Sequence, residues 1–239
     1  MAFKDFIRSV LIFFHLDITK NLEYDRLTKL IMKQNLSEDS NCIDVGCHKG
    51  EILDLMLKYA PKGKHYAFEP IPYLYNDLVD RFEGKAKIYP YALSYQDGNT
   101  TFQLVKNAPA YSGIKKRRYD ISNPEIEEIN VELKALDNLI PENVAVNFIK
   151  IDVEGAELGV LKGAKRIIQK NKPLIVFEFG LGGSDYYGTT PNDIFDLLVR
   201  QSGLKIYTLK AFINKEEPLS LQNLEEIFKS NREYYFVAA

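Results

Sequence analysis

The sequence is poor in the residues that staple a fold or ligate a metal. Its 239 residues include two cysteines, three histidines and no tryptophan. Cys42 and Cys47 flank a glycine turn on one apparent strand, so no structural disulfide is expected and the compartment reads as reducing, hence cytoplasmic. His15 and His65 have no neighbour at ligand spacing, so no metal site is expected despite many acids. A surplus of one charge is also missing. Lys and Arg number 31 against 33 Asp and Glu, net −2, which argues against a dedicated nucleic-acid binder. No apolar run is long enough to span a bilayer, no small-residue cleavage site follows the first apolar stretch, and there is no internal repeat.

What remains is ordinary globular material: 46% hydrophobic and 27% charged residues, enough for one large α/β domain with or without an appendage. Over 1–16, Phe3, Phe6, Ile7, Val10, Leu11, Phe13 and Phe14 are interleaved with Lys4, Asp5 and Arg8, the spacing of an amphipathic helix. Such a helix packs on the domain or on a second subunit; peripheral membrane contact and a swapped dimer contact are the alternatives. With a second helix over 22–34, residues 1–36 form an N-terminal helical extension and 37–239 the main domain.

The main domain opens on Asn41-Cys42-Ile43-Asp44-Val45-Gly46-Cys47-His48-Lys49-Gly50-Glu51, a strand entering a glycine turn and then a helix. A second strand follows over 65–70 and a third over 87–94, with helices between, predicting a parallel sheet with right-handed crossovers. Asp97-Gly98-Asn99 reads as a hairpin turn leading into Thr101–Val105. Residues 106–128, which include Lys115-Lys116-Arg117-Arg118, form a long polar stretch of the kind used as a lid. Extended segments resume at 130–135, 146–152 and 173–179. A glycine-rich connection with Tyr186 and Tyr187 precedes a helix opened by Pro191, and 204–209 with 234–238 form a final hairpin.

Asp44, Glu69 and Asp152 each close a strand, and Glu178 lies near the end of another. The C-terminal strand ends of a parallel sheet share one edge, and ligands bind in the crevice beyond it. Folding alone does not require acids there. Glu69 follows the turn at the distance from which a carboxylate reaches a ribose diol. However, His48 stands where a dinucleotide fingerprint needs a glycine, and Asp44 would repel a pyrophosphate. A cofactor with an ammonium and a sulfonium suits this corner better, which points to S-adenosylmethionine.

Four stretches in this order resemble the FkbM family of S-adenosylmethionine-dependent methyltransferases: Ile43-Asp44-Val45-Gly46-Cys47-His48-Lys49-Gly50, Phe68-Glu69-Pro70, Tyr91-Ala92-Leu93-Ser94 with Gly98 after it, and Ile149-Lys150-Ile151-Asp152-Val153-Glu154-Gly155-Ala156-Glu157. The resemblance runs from about 41 to 179. It implies a Rossmann-like class I methyltransferase sheet of seven strands, mostly parallel, with helices on both faces and an antiparallel last strand at 234–238. It also implies transfer to a hydroxyl, here of a sugar, glycan or other small molecule.

The expected cofactor residues are Asp44, Gly46, Cys47, His48, Gly50, Glu69, Pro70 and Asp152, with Tyr91, Ala92 and Leu93 bordering the adenine by analogy. Three acids compete for deprotonation of the acceptor: Asp152, Glu154 and Glu178. Asp152 could equally serve as electrostatic partner of the cofactor, and Glu154 as a stabiliser of the following helix. His48 is a base candidate or a polar turn residue. The basic run at 115–118 meets an acidic acceptor or is solvated, and Tyr186 and Tyr187 stack on a sugar or simply pack. An NAD-dependent oxidoreductase and a non-catalytic binding protein are the rival readings.

Overall fold

The computed structural model describes residues 19–119 and 121–239, so the amphipathic helix expected over 1–16 lies outside the described residues. The strands are β1 Asn41–Val45, β2 His65–Phe68, β3 Lys87–Tyr89, β4 Tyr91–Leu93, β5 Gly98–Val105, β6 Ile126–Lys134, β7 Val146–Ile151, β8 Leu174–Glu178, β9 Ile206–Thr208 and β10 Tyr235–Ala238. Seven of them form one sheet in the order β3-β2-β1-β7-β8-β10-β9. Pairings from β3 to β8 are parallel, while β10 runs antiparallel to both β8 and β9. The expected seven-stranded sheet with its reversed last strand is therefore present.

Side-chain alternation sorts the central strands between two cores. Ile43, Val45, Ile149, Ile151, Ile175 and Phe177 enter one, closed by Val160, Leu161, Ile167, Ile194, Leu198 and Leu224 from the helices on that face. Cys42, Phe148, Val176 and Val237 enter the other. Helices α1 (Lys20–Asn35), α2 (Glu51–Tyr59) and α3 (Pro72–Arg81) close it with Tyr24, Leu27, Ile31, Met32, Leu53, Met56 and Leu78. A parallel sheet has both faces buried by its crossovers, which is why these strands read as nearly continuous apolar runs.

Two expectations need correction. The stretch 87–94 is not one strand: Pro90 has no N–H to give to a ladder, and the chain switches sheets there, β3 joining β2 and β4 joining β6. Nor do β4 and β5 form a hairpin. Both pair with β6, which lies between them in a three-stranded sheet of order β4-β6-β5. The Asp97 carboxylate accepts from Ala135 N (2.9 Å) and Asn138 Nδ2 (3.1 Å), fixing the 95–97 turn to the far end of β6 instead of to β4. Phe102, Leu104 and Val131 of this sheet pack on Ile71, Leu74 and Ala92. The segment after β5 ends sooner than expected, because β6 already begins at Ile126. It folds back on β5 through Gln103 and Gly113, whose N–H groups each donate to the other's carbonyl (2.8 and 3.2 Å).

Candidate active site

Sheet order reverses between β1 and β7, and their C-terminal ends open a crevice there. The glycine turn is shaped by how closely those ends approach. Asp152 N donates to Val45 O (3.0 Å), and Gly46 N and Cys47 N both donate to Phe68 O (3.0 and 3.1 Å). Gly46 has φ +79°, and a Cβ on it would stand 1.9 Å from Asp152 O. Only glycine meets both demands. Gly46→Ala is expected to lower the melting temperature by about 5–10 °C, since left-handed strain alone costs about 1–3 kcal/mol before the backbone clash is relieved. Thermal unfolding followed by circular dichroism checks this; an unchanged melting curve would contradict the close approach.

The turn and β2 are tied together by Glu69. Its Oε2 accepts from His48 N (2.8 Å) and its Oε1 from Ile71 N (2.9 Å), while Glu69 N donates to Tyr89 O (3.0 Å). Each carboxylate oxygen keeps a further lone pair, so the group can still accept from two vicinal hydroxyls. Burial pushes Glu69 up to about 7, partly offset by those two N–H groups. Asp44 stands beside it at the end of β1. Its Oδ2 is buried without a partner, and burial pushes its carboxyl up to about 6 against the pull of Lys150 and the Cys47 thiol. An orphaned buried carboxylate oxygen is a place for a cation.

These groups line a cavity of about 230 Å³. Every residue expected at the cofactor borders it except Gly50. Gly50 is instead the left-handed residue (φ +78°) that starts α2, and a Cβ there would meet Phe82 Cε2 at 2.6 Å, on the core side of the turn. Cys47 and Cys42 are free and buried. His48 serves Glu69 through its backbone; its ring borders the cavity with Nε2 unpartnered, and burial lowers its pKa, leaving it neutral at pH 7. Ile71 and Phe102 join Tyr91, Ala92 and Leu93 as apolar walls. α1 contributes Tyr24, Asp25 and Thr28, which no sequence pattern assigned to the site because their apolar neighbours read only as a core stripe.

On the opposite side Asp152, Glu154 and Glu178 converge, one carboxylate oxygen of each lying within 4.8 Å of the others. Glu178 does not border the cavity and stands behind Asp152, hydrogen-bonded to it. Burial, then Asp152 and Glu157, push Glu178 well above the usual carboxylate range. Burial also works against the charge of Asp152, but Lys150 beside it and hydrogen bonds from Tyr235 and Glu178 outweigh this and hold it below its ordinary value. Lys150 Nζ lies 3.2 Å from Asp152 Oδ2 and 3.3 Å from the Tyr235 hydroxyl, which itself donates to Asp152. Glu157 is a structural acid: its Oε1 accepts from Val153 N and Gly155 N, both 3.1 Å away, and fixes the turn that carries Glu154. The three converging acids are within reach of a single hard cation, yet Lys150 already faces Asp152 and Arg117 already pairs with Glu154.

Arg117 arrives from the 106–125 segment. It pairs with Glu154, donates to Gly182 O (3.1 Å) and lies near the Tyr111 and Tyr119 rings, 5.5 and 5.8 Å from their centroids. Tyr187 OH accepts from Lys115 N (3.0 Å), and Tyr186 OH from Arg118 N (3.1 Å). The two tyrosines thus tie the segment to the 180–188 connection, and the basic run is pinned at Lys115 and Arg117 rather than wholly solvated. Arg117→Met should loosen this latch: trypsin cleavage after Lys115, Lys116 or Arg118, followed by mass spectrometry, is expected to quicken at least about fivefold. Cleavage at the wild-type rate would show that the latch does not hold the segment.

Residues 44–205 match the methyltransferase FkbM domain. The chain belongs to the FkbM methyltransferase family. Similar proteins include the hexuronic acid methyltransferase AglP of Haloferax volcanii, 27% identical over 190 residues that cover 78% of this chain and 72% of AglP. Methyltransferase 1 of Beauveria bassiana is 25% identical over 146 residues, 53% of this chain and 59% of that protein. Methyltransferase sdnD of Sordaria araneosa is 27% identical over 161 residues, 54% and 62% of the two chains. This chain therefore spans about three fifths of the two fungal relatives. The solved FkbM methyltransferase of Methylobacillus flagellatus KT shares the fold, with TM-score 0.51 and 16% identity over 85% of this chain and 44% of that one. Membership of a methyltransferase family favours the methyltransferase reading over the dinucleotide-dependent oxidoreductase.

Proposed function

We propose that this FkbM-family protein is an S-adenosylmethionine-dependent methyltransferase acting on a hydroxyl of a sugar, glycan or other small molecule. The observation that carries the cofactor is Asp44, a buried carboxylate with an unpartnered oxygen at the crevice, suited to an ammonium and hostile to a pyrophosphate. Glu69 would take the ribose hydroxyls, and Tyr91, Ala92, Leu93, Ile71 and Phe102 would flank the adenine. When bound, the cofactor supplies an electrophilic methyl group; all other tasks fall to the chain. Asp152 accepts the proton of the acceptor hydroxyl, Glu154 lines the acceptor side, and Glu178 stands behind Asp152. A sugar acceptor is supported by the likeness to a hexuronic acid methyltransferase.

Incubation with methyl-labelled S-adenosylmethionine and a panel of hexoses, hexuronates and oligosaccharides tests this reading. Incorporation of one labelled methyl group into one sugar class is expected; label appearing only on protein or nucleic acid would overturn the acceptor class.

Cofactor affinity should also depend on pH. Asp44 and Glu69 are raised to about 6 and about 7. Asp44 is faced by Lys150, Cys47 and Asp152, and Glu69 by His48 N, Ile71 N and Asp44. A ligand ammonium and diol favour both ionised forms, so binding releases protons and tightens as pH rises from 5.5 to 7.5. Without ligand the sign is opposite: acids raised in the fold bind more protons folded than unfolded, and their contribution to stability is lost as pH rises through about 6 to 7. Calorimetry with S-adenosylhomocysteine is expected to show at least about a fivefold gain in affinity across that window; a flat profile would contradict it.

A further inference from the structure

We propose that Lys150 faces the position of the transferred methyl group and holds the acceptor oxygen there, with Tyr235 as its positioning residue. This rests on the methyltransferase reading of the cavity and adds to it the group that meets the acceptor.

Lys150 lies on β7 between Ile149 and Ile151, both fully buried, and is itself only 5% exposed. A sheet strand does not need an ammonium there. A buried ion pair gives a fold little that apolar packing would not, because desolvation consumes the Coulombic gain. The ammonium has three N–H groups. Its hydrogen-bond partners among the described residues are Asp152 Oδ2 and the Tyr235 hydroxyl, at 3.2 and 3.3 Å. One N–H remains, and Lys150 borders the same cavity as Asp44, Gly46 and Asp152. Tyr235 is braced from behind by Tyr24, whose ring stacks on it at 4.9 Å, and its hydroxyl donates to Asp152 while accepting from Lys150. Tyr235 thereby fixes the acid and the cation side by side.

The pairing suits a hydroxyl acceptor. A hydroxyl is both donor and acceptor: it gives its hydrogen to Asp152 and takes one from Lys150. As the acceptor O–H proton passes to the Asp152 carboxylate in concert with formation of the O–CH3 bond, the negative charge that builds on the oxygen already faces an ammonium in a partly dry site, where such stabilisation is strongest.

Sinefungin, which carries a protonated amine in place of the transferable methyl, reads the charge at that position without any acceptor. Calorimetry on wild type, Lys150→Met, Lys150→Gln and Lys150→Arg would compare its affinity with that of S-adenosylhomocysteine. In K150M, S-adenosylhomocysteine is expected to bind within about threefold of wild type, while sinefungin gains at least about tenfold relative to it, because a repelling charge has gone. K150Q keeps a donor towards Asp152 and Tyr235, covers the case in which methionine disturbs β7, and must give the same gain. K150R keeps the charge and must keep the wild-type ratio. A ratio within twofold of wild type in K150M or K150Q, with S-adenosylhomocysteine still bound, would overturn the assignment of Lys150. Wild type that binds neither compound would overturn the cofactor reading, and this proposal with it.

Discussion

Glu69→Ala is expected to bind S-adenosylhomocysteine at least about 100-fold more weakly than wild type. Glu69 is 4% exposed and does two jobs with one carboxylate. It receives His48 N and Ile71 N, joining the glycine turn to the end of β2, and it presents its remaining lone pairs to the cavity. Alanine leaves two backbone N–H groups without their acceptor and removes both bonds to the ligand diol. Hydrogen bonds to a charged group are worth about 1.5–3 kcal/mol each, so losing the pair at the ligand alone accounts for two decades or more. Calorimetry measures the affinity, and a melting curve in parallel separates loss of the site from loss of the fold. Binding within tenfold of wild type would show that the diol sits elsewhere.

Asp152→Asn should have the larger effect on turnover and a small one on binding. Asn keeps the shape of the side chain, and its amide can still meet Lys150 or Tyr235 through its oxygen. It cannot take a proton from the acceptor. A positioned general base contributes about 10²–10⁴-fold, so turnover on the acceptor found by the sugar panel is expected to fall by about that factor. S-adenosylhomocysteine should bind within about fivefold of wild type, since the polar recognition proposed for the cofactor rests mainly on Asp44 and Glu69. Glu178 is not expected to replace the lost base: it lies outside the cavity lining, and burial pushes its carboxyl well above the usual range. Normal turnover in D152N would move the base to Glu154.

The parts of this site that could be read from the sequence are those set by short-range pattern. Asp44, Gly46, His48 and Glu69 belong to a strand–turn–helix unit and the strand after it, and 65–70 follows 41–51 within one crossover, so their meeting is a local consequence of right-handed βαβ winding. The parallel sheet followed from the same logic, whereas its seven strands and reversed last strand were what the resemblance to the FkbM family implied. Gly50 shows where pattern misleads: it lies in the glycine turn by sequence, yet its work is to start α2 against Phe82.

Contacts made across long stretches of chain were not legible. Tyr235 reaches Asp152 from 83 residues away, and Arg117 reaches Glu154 from 37. Neither has a local periodicity that announces it. The second sheet was hidden for a related reason: Pro90 looks like the exit of one strand, and only the pairing partner of β4, 41 residues on, shows that it divides two. Lys150 carried a visible signal, a lone cation inside Phe148-Ile149-Lys150-Ile151 on a strand otherwise buried. Tyr24 and Thr28 carried none, because α1 reads from its spacing as a packing helix and both lie on its buried face, Tyr24 within the core that the helix closes.

The central claim is that the crevice between β1 and β7 takes S-adenosylmethionine and not a dinucleotide. Titration calorimetry of S-adenosylhomocysteine and of NAD against the wild-type protein at pH 7.5 tests it most directly. Saturable, one-to-one binding of S-adenosylhomocysteine that Glu69→Ala removes is expected, with no heat of binding for NAD. Saturable NAD binding with no response to S-adenosylhomocysteine would contradict it.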